Sequence, residues 1–311
     1  MLSRRLLRIK VAQAIYSHIN SNETQIARTR KEMLHSSQKC FELYLMLIDM
    51  LALVHKYAVK RIELGKAKHL PSDIERSPNM RFAENPLLLM LQQSVELEQA
   101  MGSKSWGPDS KTLVKAIYQI LINSTQYQEY MEKETVTFND HKKIAVAMLE
   151  LIEDNEDIEK TLEDTSIFWL DNIEYALSFA IVTINSIRAK DEDIVHMLEP
   201  FKNEDDREFA LKLLEKTLLR VNENNEIINA LTVNWELDRI AFMDRVLLME
   251  AITELLEFEQ IPVKATLFEY IEISKYYSTP QSNTFINGVL DKAVKDLTKK
   301  GQLVKLGRGL L

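Results

Sequence analysis

Apolar positions recur along this chain at spacings of three and four almost from end to end, the period of an amphipathic helix. Between residues 38 and 62, Phe41, Tyr44, Ile48, Leu51, Val54 and Ala58 fall on one face of a long helix. Similar patterns predict helices over 86–101, 110–132, 141–163, 167–188, 206–231, 237–258, 263–277 and 282–299, and no stretch reads as a sheet. Punctuation residues gather at 69–78, 102–108, 190–192, 200–205 and 278–282, where breaks are expected. Asn85 before Pro86 reads as an N-cap with proline at the first helical position, and Asp109 or Ser110 can cap the helix after Pro108. Pro262 separates two helices by so short a connection that they must pack against each other. The expected fold class is all-α.

Composition narrows the function more than the fold. With 311 residues and 46% apolar content the chain can bury a core, in one or two domains. Seven glycines and seven prolines are few for this length, and the glycines form neither GxGxxG nor GxxxxGK[ST]. Nucleotide-binding α/β folds are therefore not expected. Cys40 is the sole cysteine, which excludes an intramolecular disulfide and a CxxC knuckle. It lies on an apolar stripe, reads as a buried inert thiol and suits a reducing compartment, so the cytoplasm is the expected location. No apolar run reaches the ~18 residues of a membrane-spanning helix. The first 22 residues are basic and acid-free, as transit peptides are, but their likeness to the start of a folded domain, set out below, favours a folded segment.

The search for catalytic chemistry is negative. Glu32 and His35 form a single Glu-x-x-His pair, where a carboxylate-bridged metal site in a bundle needs two. His141 and His196 have no second histidine at ligand spacing. No catalytic residue, metal or cofactor is expected. The acidic run 150–171 is interleaved with Leu151, Ile152, Ile158 and Leu162, and reads more simply as a solvated helix face than as a site for a basic partner. Trp169 reads as core.

The net charge of −8 is unevenly spread: residues 1–31 carry +6, residues 288–311 carry +4, and the stretch between carries −18. Affinity for phosphates depends on local clusters, so both ends are candidates for nucleic-acid contact. Arg4 and Arg8 stand one helical turn apart with Arg5 adjacent, while Leu7, Val11, Ala14 and Ile15 make an apolar stripe. Alone, this basic amphipathic helix would equally suit a membrane surface or a partner helix.

The last third is more specific. Asn234-Trp235-Glu236-Leu237-Asp238-Arg239-Ile240, Met243-Asp244-Arg245-Val246-Leu247-Leu248, Thr253-Glu254-Leu255-Leu256, Ile261-Pro262-Val263-Lys264-Ala265 and above all Phe285-Ile286-Asn287-Gly288-Val289-Leu290-Asp291-Lys292 resemble the NusB transcription antitermination family. The order fits as well, since the family opens with an Arg-rich segment leading into a stretch like Gln13-Ala14-Ile15-Tyr16-Ser17. Residues 205–233, with Phe209, Leu213, Leu214 and Val221, resemble the helix that precedes the family's tryptophan motif. The resemblance covers about 1–22 and 204–300. It implies a discontinuous NusB-like helical bundle, a large all-helical insertion at 23–203, and a basic tail at 301–311.

The resemblance also implies a non-enzymatic factor that binds boxA-type RNA together with NusE, the small-subunit ribosomal protein, within the antitermination complex of RNA polymerase. By position, Arg4, Arg5, Arg8 and Lys10 would grip phosphates with Tyr16 beside them, Phe285 would stack on a base next to Asn287, Lys275 would be a further cation, and Glu254 would face NusE. Phe285 as core, Asn287 and Gly288 as a close helix crossing, and Glu254 as a solvated side chain are the competing readings. Some NusB-type domains pair through the same surface, so a homodimer is a further expected assembly. An interaction adaptor that keeps the core without RNA is the alternative function. The chain departs from the family in the loop before Phe285, where Gln281, Asn283 and Thr284 replace an acidic residue and a His-Lys pair.

Overall fold

The computed structural model describes residues 2–104, 106–107, 110–190, 195–232 and 240–310. Its regular structure is helical, and among the described residues the nearest thing to a strand is one parallel bridge between Leu2 and Phe201. The motif segment 234–239, with Trp235, and the candidate cap Asp109 lie outside the described residues.

Among the described residues fifteen α-helices follow in order: α1 (Arg4–Asn20), α2 (Ile26–Lys66), α3 (Asp73–Arg76), α4 (Pro86–Gln93), α5 (Val95–Met101), α6 (Ser110–Asn123), α7 (Thr125–Glu132), α8 (Phe138–Glu153), α9 (Glu156–Thr165), α10 (Ile173–Ser186), α11 (Glu204–Leu219), α12 (Val221–Leu231), α13 (Phe242–Glu257), α14 (Val263–Tyr277) and α15 (Ser282–Lys299). Three runs read from periodicity as continuous are each split by a capping side chain. Ser94 Oγ accepts from Leu97 N, Ser124 Oγ from Tyr127 N, and Asn155 Oδ1 from Ile158 N, at 3.0–3.2 Å. A break of one or two residues barely shifts the apolar phase, so the stripe alone does not reveal it. Asn85 caps α4 as expected, accepting from Leu87 N and Leu88 N.

The chain forms two compact units, one of residues 38–200, the other of residues 2–37 and 201–311. Residues 23–37, counted in the insertion on sequence, thus belong with the two ends. The 38–200 unit buries Leu43, Met46, Leu47, Leu51, Leu88, Leu121, Met148, Leu149 and Leu177 in a common core. Cys40 is buried there, and Trp169 is buried with its indole N–H donating to Lys39 O at 3.1 Å. In the acidic stretch, Ile158 and Leu162 point inward from α9.

The unit of residues 2–37 and 201–311 is organised around α13. From Val246 to Leu255 every residue of this helix is buried, because α1, α11, α12, α14 and α15 all pack on it. Such a helix leaves no polar face, yet it carries Asp244, Glu250 and Glu254. Each needs an internal partner or must lose its charge.

Candidate nucleic-acid interface

Helix α1 starts where Ser3 Oγ accepts from Leu6 N at 3.2 Å, and it packs against α11, α13 and α14. A helix enclosed on several sides also buries its polar positions, and this decides the fate of the basic segment. Arg8 is 3% exposed and its guanidinium fork donates to both oxygens of Glu254, at 2.7 and 2.8 Å. Glu254, fully buried, also accepts from Thr266 Oγ1 at 2.8 Å and Tyr270 OH at 3.2 Å. Burial alone would lower the Arg8 pKa, but the charge and hydrogen bonds of Glu254 outweigh it and hold the guanidinium above its ordinary value. Lys10 is also buried, its ammonium donating to Ser36 Oγ of α2 at 3.0 Å.

Two expectations are corrected here. Arg8 and Lys10 are internal side chains rather than phosphate grips, and Glu254 faces Arg8 rather than a ribosomal protein. Bidentate pairing consumes both charged groups of the Arg8–Glu254 pair.

Arg4 and Arg5 are different. Their side chains are 47% and 40% exposed although both are paired, Arg4 with Asp206 at 2.9 Å and Arg5 with Glu269 at 2.6 Å. The Arg4 guanidinium lies over Phe209 and that of Arg5 over Phe268, each within 6 Å of the ring centre. Arg4 also borders an open groove of about 850 Å³, where Arg30 and Lys212 face Asp205, Glu208, Glu215, Glu257 and Glu259. The +6 of the first 31 residues is therefore largely matched within the same unit.

The other candidates lie on α1 beside the start of α13, at the end of α14 and at the start of α15. Tyr16 is 37% exposed and packs on Phe242 with ring centres 4.8 Å apart. Lys275, partly exposed, pairs with Glu272 one turn earlier. Phe285 is half-buried and lines a cavity of about 670 Å³ together with Ile240, Ala241, Asp244, Gln281 and Thr284. Asn287 and Gly288 are exposed, and a Cβ on Gly288 would meet nothing within 4 Å, so no close helix crossing explains that glycine.

Sequence reasoning missed what holds this surface. Asp244, buried on α13, accepts from Ser278 Oγ at 2.5 Å and Ser282 Oγ at 2.8 Å. It thereby pins the loop that delivers Phe285 to the first turn of α15. The loop's loss of its own acidic residue and His-Lys pair leaves this anchor in place. Its signal, Asp244 in the Met243-Asp244-Arg245 stretch and serines 34 and 38 residues later, gives no local pattern.

A family profile described as NusB family matches residues 174–295, a span running from α10 through most of α15 that includes Asp244, Glu254 and the Phe285 motif. The chain carries a NusB-family domain. It is 51% identical over 105 residues to the transcription antitermination protein NusB of Salinibacter ruber, a stretch covering 34% of this chain and 66% of that protein. The protein of the same name from Chloroherpeton thalassium is 37% identical over 105 residues, 34% of this chain and 50% of its own. That from Thermodesulfovibrio yellowstonii is 36% identical over 95 residues, covering 30% and 63%. The chain thus spans between half and two thirds of the length of these relatives. No solved structure matches it. Residues 1–22 fall outside the NusB match, and the packing of α1 on α11 and α13 is what joins them to the NusB-type helices. Beyond that match this chain carries a large additional helical region.

Proposed function

We propose that this protein is a cytoplasmic, non-enzymatic transcription antitermination factor that binds boxA-type RNA together with NusE in the antitermination complex of RNA polymerase. The observation that carries the reading is the NusB-family match across residues 174–295, which includes the exposed start of α15. Phe285 offers a partly open aromatic surface there, beside exposed Asn287 and with Lys275 at the end of the preceding helix. Arg4, Arg5 and Tyr16 supply the accessible part of the N-terminal segment. The two arginines can exchange a carboxylate for a phosphate, since exposed ion pairs are weak, ~0 to 1 kcal/mol. This reading implies an RNA-binding NusB-type domain formed from the two ends of the chain and an inserted helical region between them.

Electrophoretic mobility of the full chain with a single-stranded boxA-like RNA, with and without NusE, tests the proposal. A shift that NusE strengthens, and that a scrambled RNA does not reproduce, is expected. Absence of any shift in both mixtures overturns it. The interaction adaptor is the second reading, favoured by the acid-dominated groove around Arg4, which suits a basic protein surface better than a phosphate. Binding of NusE with no effect of RNA would select it, and sedimentation of the free chain reads out a homodimer in the same samples.

A further inference from the structure

Arg245, in the first turn of α13, differs from most arginines of its unit. Arg4, Arg5, Arg8, Arg30, Arg207 and Arg220 each hold a carboxylate at 2.6–2.9 Å. Among the described residues Arg245 has none, and its Nε, withdrawn from solvent, has no hydrogen-bond acceptor. The guanidinium is nevertheless held in place, its carbon 4.9 Å from the ring centre of Phe242. Phe242 in turn packs against the exposed Tyr16 of α1. The result is a tier of arginine, phenylalanine and tyrosine across two helices, with the cation held over a ring and, among the described residues, without a carboxylate partner.

We infer that Arg245 is an RNA-contacting residue whose guanidinium takes a backbone phosphate through its terminal N–H groups, with Tyr16 beside it as a stacking surface for a neighbouring base. This rests on the proposed RNA-binding function and assigns a residue to that site. Three observations support it. An aromatic ring under a guanidinium orients its donor fork, which matches two phosphate oxygens. Among the described residues no carboxylate occupies the terminal N–H groups of Arg245, so an incoming phosphate has no ion pair to displace. Finally, Arg245 follows Asp244, the residue that pins the Phe285 loop and lines the Phe285 cavity, so the cation stands on the helix turn that borders the aromatic surface.

The test is salt titration of the full chain on single-stranded boxA-like RNA. Arg245→Gln should lower the slope of log affinity against log salt by ~0.7, the share of one phosphate contact on a single strand. Arg245→Lys should restore the slope. Independently of any substitution, the Arg245 Nε–H resonance of the wild-type chain should shift and exchange more slowly with water when RNA is added. Wild-type slope in Arg245→Gln with an unmoved Nε–H resonance overturns the inference while leaving the proposed function intact. Failure of the wild-type chain to bind the RNA at any salt overturns both. If Arg245→Gln does not melt cooperatively, the resonance decides alone.

Discussion

Glu254→Ala tests whether the N-terminal arginine run is partly core. The substitution removes both acceptors of the Arg8 fork and leaves a guanidinium that is 3% exposed with no counter-charge. Thr266 and Tyr270 lose their acceptor as well. Removing one partner of a buried pair costs ~3 to 5 kcal/mol, and two orphaned hydroxyls push the expected loss to the upper end of that range. Replacing both partners, Arg8→Met with Glu254→Leu, removes the desolvation penalty together with the attraction and should recover most of the loss. Urea unfolding followed by helical circular dichroism measures each variant, and the double-mutant cycle isolates the coupling. RNA binding by the double variant should keep the wild-type salt slope, whereas Arg4→Gln with Arg5→Gln should lower it by up to ~1.4. A Glu254→Ala midpoint equal to wild type, or a double variant with a reduced salt slope, would refute the internal assignment of Arg8.

Four further outcomes follow from the same unit. Glu250 is fully buried, and burial, reinforced by the charge of Glu254 and only partly opposed by Arg8 and Tyr270, pushes its pKa well above the carboxylate range. It is therefore protonated when folded but ionised when unfolded above the ordinary carboxylate pKa, so it lowers stability progressively as pH rises from there toward its folded pKa. Glu250→Gln should remove a slope of up to ~1.4 kcal/mol per pH unit from urea stabilities measured as pH rises above the ordinary carboxylate range, and identical slopes would contradict the assignment. Phe285→Ala should weaken RNA binding by ~1 to 3 kcal/mol with little change in melting temperature; a large drop in melting temperature at unchanged affinity would make it a core residue. Asp244→Ala removes two hydrogen bonds to a charged acceptor, ~1.5 to 3 kcal/mol each, and should weaken RNA binding by freeing the Phe285 loop, which hydrogen exchange at 278–282 would report. Gly309→Ala places a Cβ 1.9 Å from the carbonyl oxygen of Glu259, so the C-terminal turn must leave the α13–α14 connection, and carboxypeptidase trimming should accelerate; unchanged trimming would contradict that packing.

The all-α class was legible because the 3.6-residue period persists through nearly every helix, and so was the tight α13–α14 connection, which Pro262 marks. Helix boundaries were not, wherever a serine or asparagine cap interrupts a stripe without shifting its phase, as at Ser94, Ser124 and Asn155. The surface at the start of α15 was legible through Phe285 and Asn287, since a motif carries its own spacing. Its anchor was not, because Asp244 reaches Ser278 and Ser282 only through the packing of α13 on the helices that follow.

Charge was the feature least readable along the chain, for a physical reason. A run of arginines in sequence predicts an electropositive surface only if the acids that answer it stay distant in the fold. Here α1 enters a groove walled by α11, α13 and α14, which bring Asp206, Glu254 and Glu269 to Arg4, Arg8 and Arg5 in turn. Affinity for a polyanion then depends less on how many cations a segment holds than on which of them can give up a carboxylate at little cost or never had one. Arg4 and Arg5 satisfy the first condition through exposure, Arg245 satisfies the second among the described residues, and Arg8 satisfies neither. The same net charge can thus be assigned to binding or to folding residue by residue, from exposure and partner together.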